Sequence, residues 1–286
     1  MSQQAEADKS VNAIEMVGVT DTGRMRAENE DAIRVSPQIG LAVLADGMGG
    51  HQAGEVASGL AIDMVTRHFV ETFAREIERK KKGETSVSDV VMEVNAVYDA
   101  VQLANNAIHE MAQARPECAG MGSTLVIVVF YDDKICVGHV GDSRLYRYRA
   151  GELKQVTEDH SVIQELVSRG LLTLEEAKVT VGKNLVTRAL GVEPTVEPDV
   201  SEQPVTEGDI YLICSDGLND MLSDADMQKI LDDHGGDLQQ AADQLVAHAN
   251  ERGGADNISV ILVRANKKFT RNKKAVKELQ TQIKQA

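Results

Sequence analysis

Short apolar runs rich in β-branched residues alternate with longer segments of helical spacing along this chain. Residues 14–20 (IEMVGVT) and 39–45 (IGLAVLA) are the first two such runs, and acidic positions follow both. Short apolar runs bounded by polar residues are typical of buried strands. We therefore expect two strands here, which deliver Asp31 and Asp46 from their ends.

From Gly54 the apolar positions recur every three or four residues, which is the period of an α-helix. The first stripe comprises Val56, Leu60, Met64, His68 or Phe69, Phe73 and Ile77. The second comprises Val90, Val94, Val97, Val101, Ala104, Ile108 and Met111. Two long helices with one apolar stripe each predict a helical layer that covers a sheet.

The second half of the chain returns to strand patterns. Strands are predicted over 123–131, 134–140, 144–149, 209–215 and 257–263, and helices near 224–233 and 237–252. Residues 160–190 contain shorter helical pieces with a polar surface. Hairpin-linked strands with helices gathered in pairs predict an α+β sandwich and not a doubly wound parallel sheet.

Composition narrows the class of protein. A chain of 286 residues with 42% hydrophobic residues suits one large domain or two small ones, and its net charge of -15 argues against nucleic acid as a partner. The three cysteines are scattered without a pair, which favours a reducing compartment. The N-terminus lacks a signal-peptide pattern, and no apolar run reaches the ~20 residues of a membrane helix, so we expect a cytoplasmic protein.

Five short polar motifs carry the candidate chemistry. They are Arg26-x-x-Asn29-Glu30-Asp31, Asp46-Gly47-Met48-Gly49-Gly50-His51, Gly141-Asp142-Ser143-Arg144, Ser215-Asp216-Gly217 and Asp256-Asn257. Taken singly, each Asp-Gly pair is first of all a turn signal. Together they offer hard oxygen ligands from several strand ends, with an arginine and a histidine nearby, as a metal-dependent enzyme acting on phosphate requires.

The residue types suggest how such a site works. Asp46, Asp256 and the carbonyl of Gly47 are candidate ligands for two Mg²⁺ or Mn²⁺ ions, which would activate a shared water as a hydroxide nucleophile. Arg26 would bind phosphoryl oxygens in fork geometry. His51 would protonate the leaving oxygen.

The motifs also carry a resemblance. The strings TDTGRMRAENEDA (20–32), LADGMGGHQAGEVAS (44–58), GSTL (122–125), VGDSRLYR (140–147), TRALG (187–191), ICSDGL (213–218) and GGADNISVILV (253–263) occur in this order. The chain thereby resembles the metal-dependent serine/threonine protein phosphatases of type 2C, in particular their bacterial branch.

The resemblance implies a four-layer α-β-β-α sandwich, with two antiparallel sheets flanked by helix pairs. It implies a phosphatase domain over 13–265 with a flap at about 160–190, between a flexible N-terminus (1–12) and a basic C-terminal extension (266–286).

The resemblance also implies roles for individual residues. Asp46, the Gly47 carbonyl, Asp216 and Asp256 would hold two metal ions, which Glu30 and Asp31 contact directly or through water. Asp142 would bind a third, weaker ion together with Asp216. Arg26 matches the phosphate-binding arginine, and Asn257 lies beside the metal loop. In the eukaryotic pattern the histidine directly follows Asp-Gly, whereas here three residues intervene before His51, as in the bacterial branch.

The expected function is hydrolysis of phosphoserine and phosphothreonine in proteins, in opposition to a bacterial Ser/Thr kinase, by a monomer. Two alternatives stay open from the sequence: a non-catalytic module that recognises phosphoproteins, and a phosphatase for a signalling switch protein. Segment 264–286 contains eight basic residues and one acidic residue. We expect a solvated, partly helical tail there, without membrane contact.

Overall fold

The computed structural model describes residues 13–50, 53–84, 92–181 and 185–285. In chain order, its elements are β1 (Ile14–Asp21), β2 (Asp31–Ser36), β3 (Leu41–Met48), α1 (Ala53–Lys81), α2 (Met92–Ala114), β4 (Gly122–Ser123), β5 (Leu125–Tyr131), β6 (Lys134–Val140), β7 (Arg144–Arg149), β8 (Glu152–Gln155), α3 (Val162–Ser168), α4 (Leu174–Thr180), β9 (Asp199–Pro204), β10 (Ile210–Cys214), α5 (Asp216–Asn219), α6 (Asp224–His234), α7 (Leu238–Glu251), β11 (Ile258–Ala265) and α8 (Lys273–Gln285).

The strands pair into two antiparallel sheets. One sheet has the order β1-β11-β10-β7-β8, and the other runs β2-β3-β5-β6-β9, with β4 paired to β3. Apolar residues of both sheets meet between them in one core, which contains Leu44, Val126, Tyr211 and Ile261. The predicted α+β class with two sheets and flanking helices is therefore confirmed.

Helices cover the outer face of each sheet. The helices α1 and α2 share a core with β3 and β5, and α6 and α7 share a core with β10 and β11. Consecutive residues of β3 point to opposite faces, so that Val43 packs toward the helices and Leu44 toward the other sheet. Burial on both faces explains why these strands read as continuous apolar runs.

The predicted apolar stripe of α1 is right in its second half and wrong at its start. Phe69, Phe73 and Ile77 are buried, whereas Val56 is 38% exposed. Ala57 and Ala61 are buried in its place. Small side chains at these positions let the helix lie close to the sheet, and they carry too little apolar signal for a stripe to be recognised.

Three strands were absent from the sequence prediction: β2, β8 and β9. Of these, β9 (DVSEQP) has no fully buried residue, and β8 has four residues that are all partly or fully exposed. The strand β1 ends at Asp21, so Asp31 does not follow that strand; it is the first residue of β2. Polar edge strands lack the apolar alternation on which strand prediction depends.

The basic extension forms a helix with mostly exposed side chains, as expected, but one face of this helix packs on the domain. Val276 on α8 is buried, and Leu279 and Ile283 pack against the same core as α1 and α2. Ahead of the helix, the Arg271 guanidinium lies 3.4 Å from the centre of the Phe73 ring. It also forms ion pairs with Glu76 at 3.4 Å and Glu93 at 3.5 Å.

No helix in the described part of the chain combines the length and apolar character needed to cross a membrane.

We expect Arg271→Ala to lower the free energy of unfolding by about 3 kcal/mol, because it leaves two largely buried carboxylates without their cation. Lys274→Ala is the control, since Lys274 pairs with Glu278 at the surface and its side chain is 87% exposed. It should change stability by less than about 0.5 kcal/mol. Urea unfolding measures both; equal effects would contradict a structural role for Arg271.

Candidate metal centre and active site

Asp31 and Asp46 lie directly opposite each other on β2 and β3. Asp46 thus belongs to the strand itself and not to the loop after it, because β3 continues to Met48. The Ser215 hydroxyl donates a hydrogen bond of 2.8 Å to Oδ2 of Asp31. Oδ1 of Asp31 is buried and has no partner among the described residues. A buried carboxylate oxygen without a donor is suited to a cation.

The backbone of Asp46 is held by two hydroxyl residues of the neighbouring chain segment. The carbonyl accepts hydrogen bonds from the Thr124 amide at 2.8 Å and from the Ser123 hydroxyl at 3.0 Å. The Asp46 amide donates to Oγ1 of Thr124 at 3.1 Å, and that hydroxyl lies 2.7 Å from the Ser143 hydroxyl. Neutral groups therefore fix the Asp46 backbone and connect it to the turn that carries Asp142.

Two glycines allow the acidic segments to come together. A Cβ on Gly47 would lie 2.0 Å from the Gly54 carbonyl oxygen, and one on Gly217 would lie 2.0 Å from the Asn257 carbonyl oxygen. Real Cβ atoms do not approach backbone oxygens so closely, so only glycine fits at either position. The first brings β3 against the start of α1, and the second brings the Asp216 and Asp256 segments together.

Asn257 fixes the loop between β1 and β2. Its side-chain amide donates to the carbonyls of Thr22 at 3.0 Å and Glu28 at 2.9 Å, and its Oδ1 accepts from the Glu30 amide at 2.8 Å. The side chain is buried. The Asn257 side chain thus donates two hydrogen bonds and accepts one, and it fixes the loop that carries Arg26 and Glu30.

Arg26 and Glu30 occupy the rim of the carboxylate group. Nη2 of Arg26 lies 2.7 Å from Oδ2 of Asp256, and half of the arginine side chain is exposed. The Glu30 carboxyl group lies against Gly54 at the start of α1, where a Cβ would approach its atoms within 2.9 Å. Burial raises the pKa of Glu30, while Arg26 and a hydrogen bond from the Gly54 backbone oppose the rise.

The carboxylates repel one another in a poorly hydrated cleft. Burial raises the pKa of Asp46 well above its ordinary value, and the neighbouring Asp31, Asp216, Asp142 and Asp256 raise it further. Burial likewise raises the pKa of Asp216, with Asp142 as the strongest neighbouring charge. For Asp31 and Asp142 burial raises the pKa to about 6. A divalent cation compensates such a concentration of negative charge.

A cavity of about 170 Å³ continues from the carboxylates toward the segment at 160–190. Asp142, Asp216 and Asp220 line one side, and Ile163, Gln164 and Leu174 line the other. The sequence prediction did not include Asp220, although it follows Asp216 by four residues. Side chains from α3 and α4 therefore share this cavity with Asp142.

Comparison with known proteins identifies the family. The family model "Protein phosphatase 2C" matches residues 24–262. The chain belongs to the protein phosphatase 2C family. The prediction of a metal-dependent serine/threonine protein phosphatase of type 2C is therefore confirmed.

Individual relatives are similar along most of the chain. The serine/threonine phosphatase stp of Listeria innocua is 37% identical over 250 residues, which cover 86% of this chain and 94% of the relative. The crystal structure of the Mycobacterium tuberculosis serine/threonine phosphatase PstP has a TM-score of 0.77 at 34% identity, and covers 88% of this chain and 99% of that chain. A structure of the PstP catalytic domain with two manganese ions has a TM-score of 0.72 at 34% identity, with 88% and 97% covered.

The structure thus brings together the predicted carboxylates, Arg26 and Asn257 of this type 2C phosphatase. His51 lies outside the described residues, so its predicted role as the acid stays a prediction. Sequence reasoning did not assign roles to Ser123, Thr124 and Ser215, although the strings GSTL and ICSDGL contain them. Hydroxyl residues carry no signal of their own, because their partners become apparent only in three dimensions.

We expect Asp142→Asn to stabilise the metal-free protein by about 1 to 2 kcal/mol at pH 7.5, after allowing for partial solvent exposure. The folded state raises the Asp142 pKa above its unfolded value, so ionisation costs stability above pH 6. The gain should shrink as pH falls from 6 toward 4 and should vanish below that range, where Asp142 binds its proton in both the folded and the unfolded state. Urea unfolding in excess EDTA across this range measures it. A destabilising substitution at pH 7.5 would contradict the expected repulsion.

Proposed function

We propose that this chain hydrolyses phosphoserine and phosphothreonine in proteins with the help of two Mg²⁺ or Mn²⁺ ions. One observation carries the proposal: five carboxylates from separate segments meet beside one half-exposed arginine. They are Asp31, Asp46, Asp142, Asp216 and Asp256. Such a constellation provides both cation ligands and a phosphate-binding group. The names of the relatives, which are serine/threonine phosphatases, support the same class of substrate.

The residues present fit divalent metal ions of the hard type. All candidate ligand atoms are oxygens, the preference of Mg²⁺ and Mn²⁺. The unpartnered Oδ1 of Asp31 and the raised pKa values of Asp46 and Asp216 supply independent support. A relative's structure that contains two manganese ions is consistent with this proposal.

We assign the two ions to Asp46, the Gly47 carbonyl, Asp216 and Asp256, with Glu30 and Asp31 in contact directly or through water. Asp142 and Asp216 would hold a third, weaker ion. When bound, such ions would activate a water as the nucleophile and would offset the charge of the phosphate. The chain itself contributes the fixed positions: the paired strands place Asp31 beside Asp46, and Gly217 places Asp216 beside Asp256.

Arg26 is the proposed phosphate-binding residue. Its guanidinium pairs with Asp256, one of the proposed ligands. A cation on Asp256 would weaken that pair and leave the guanidinium available for phosphoryl oxygens, which it contacts with two donors at once. The half-exposed position at the rim leaves room for a substrate that is itself part of a protein.

The biological setting follows from this activity. We propose that the phosphatase acts as a monomer on phosphoproteins modified by a bacterial Ser/Thr kinase, that residues 13–265 form the catalytic unit, and that nucleic acid is not a partner. The charge of -15 supports the last statement, because phosphate backbones favour basic surfaces. The packing of α8 on the helical layer supports a structural role for the extension instead of membrane contact.

Asp46→Asn and Asp216→Asn should each reduce phosphate release from a phosphothreonine peptide in Mn²⁺ by at least about a hundredfold, because each removes a charged ligand. Circular dichroism should show an unchanged fold. Asp243→Asn is the matched control, since Asp243 is an exposed residue of α7 outside the predicted metal motifs, and it should keep full activity. Full activity in both ligand variants would refute the metal assignment.

Arg26→Ala should raise the KM for a phosphothreonine peptide roughly tenfold to a hundredfold, because a charge-assisted contact to phosphate is lost. The KM of Arg26→Lys should lie between those of Arg26→Ala and wild type. Arg24→Ala provides the control in the same loop: Arg24 is exposed, and only its backbone amide bonds to Gly254. Steady-state kinetics at saturating Mn²⁺ measures the KM of each variant. If Arg24→Ala and Arg26→Ala raise the KM equally, Arg26 is not the phosphate-binding residue.

A further inference from the structure

Four side chains outside the carboxylate group form a cluster at the base of the segment 160–190: His139, His160, Arg188 and Asp199. The two imidazoles are buried and stacked, with ring centres 4.4 Å apart. Nε2 of His160 lies 3.5 Å from Oδ2 of Asp199. Arg188 Nη1 lies 3.0 Å from Oδ1 of Asp199 and 3.2 Å from Nε2 of His160.

The two histidines and Asp199 have the spacing of a metal site, but the arginine argues against one. Its guanidinium already supplies the positive charge beside Asp199. Nε2 of His139 lies 2.8 Å from the Glu158 carbonyl oxygen, so this nitrogen already has a hydrogen-bond partner. The cluster is therefore better explained by what it holds in place.

His160 holds the turn before Asp142 from two sides. Its backbone amide donates to the Gly141 carbonyl at 2.9 Å, and its Nδ1 accepts from the Gly141 amide at 3.2 Å. This second bond requires Nδ1 to be unprotonated, so the proton of the neutral ring is on Nε2, which faces Asp199. Burial lowers the pKa of His160 to about 4, aided by His139 and Arg188, which keeps the ring neutral.

The Gly141–Asp142 turn has an unusual backbone conformation and depends on the hydrogen bonds with His160. Gly141 has φ of +101°, in the region that favours glycine, and a Cβ there would lie 2.7 Å from the Thr124 side chain. Thr124 in turn contacts the backbone of Asp46. The Gly141 amide is buried and has no ladder partner of its own, so without the His160 ring it would lose its acceptor.

We propose that His160 is a positioning residue for Asp142, and that its hydrogen bond from the Gly141 amide sets the affinity of the weaker divalent-ion site. This inference rests on the proposed function, since it takes Asp142 as a ligand of that ion. His160 touches neither substrate nor ion; it acts through the Gly141–Asp142 turn. Asp199 faces the Nε2–H at the opposite edge of the ring, and Arg188 in turn pairs with Asp199.

Three variants of His160 separate this role from packing alone. His160→Ala removes both the ring and its acceptor. His160→Asn retains an acceptor close to the position of Nδ1, whereas His160→Gln places its amide nearer the position of Nε2, toward Asp199. His139→Ala is the matched control, because it truncates the stacked, equally buried imidazole without removing a bond to Gly141.

Calorimetry measures the number of Mn²⁺ ions bound and their affinity. A phosphate-release assay measures the Mn²⁺ concentration that gives half-maximal activity. In His160→Ala we expect weakest-site affinity to fall about fivefold, the size expected for one lost hydrogen bond. The two tighter ions should bind as before. At saturating Mn²⁺, kcat should stay within about twofold. His160→Asn should restore the affinity, and His160→Gln should not.

Unchanged Mn²⁺ affinity in His160→Ala would overturn the proposal, as would equal affinities in the Asn and Gln variants. A shift of the same size in His139→Ala would also overturn it, since the effect would then belong to the cluster as a whole. If His160→Ala does not fold, the comparison of Asn with Gln decides. If wild type binds Mn²⁺ without releasing phosphate, the proposed function fails while the binding comparison still tests His160.

Discussion

Repulsion among five carboxylates is the constraint on which this structure depends. Asp31, Asp46, Asp142, Asp216 and Asp256 come from separate segments, and burial together with the neighbouring carboxylates raises the pKa of Asp46 and of Asp216. Isolated carboxylates at this density would separate or bind protons. The two-sheet framework prevents separation, because register pairing holds Asp31 against Asp46 and the β10–β11 pair carries Asp216 and Asp256 at its end.

The groups that hold the carboxylates in place are mostly uncharged. Hydroxyls of Ser123, Thr124 and Ser215 and the amide of Asn257 form hydrogen bonds to carboxylate-bearing segments. Neutral donors fix the geometry without cancelling the negative charge. Within the part of the chain that the structure describes, the cation paired with this group is Arg26, which contacts Asp256 at the rim. The charge therefore remains available for divalent ions, which is the electrostatic basis of the proposed activity.

The sequence was sufficient for the parts of this protein that have a local signal. Asp46 and Asp216 stand beside glycines after apolar runs, so the chemistry and the buried strands were predictable. The arrangement of the strands in two sheets came from the family resemblance. β2, β8 and β9 were missed because their residues are polar or half-exposed. Val56 was misplaced because Ala57 and Ala61, which occupy the buried face, carry little apolar signal.

The packing of α8 depends on Arg271 and its distant partners Glu76 and Glu93, and the role of Asn257 depends on contacts more than two hundred residues away. Long-range polar contacts of this kind leave no periodic trace in a sequence.

The most direct test of the central claim is a calorimetric titration of the metal-free protein with Mn²⁺ at pH 7.5, combined with the thermal unfolding temperature at each metal concentration. The account predicts two tightly bound ions per chain, with an unfolding temperature that rises as they bind because cations relieve the repulsion in the folded state. No binding, or binding that leaves the unfolding temperature unchanged, would contradict the claim that these carboxylates form a metal centre.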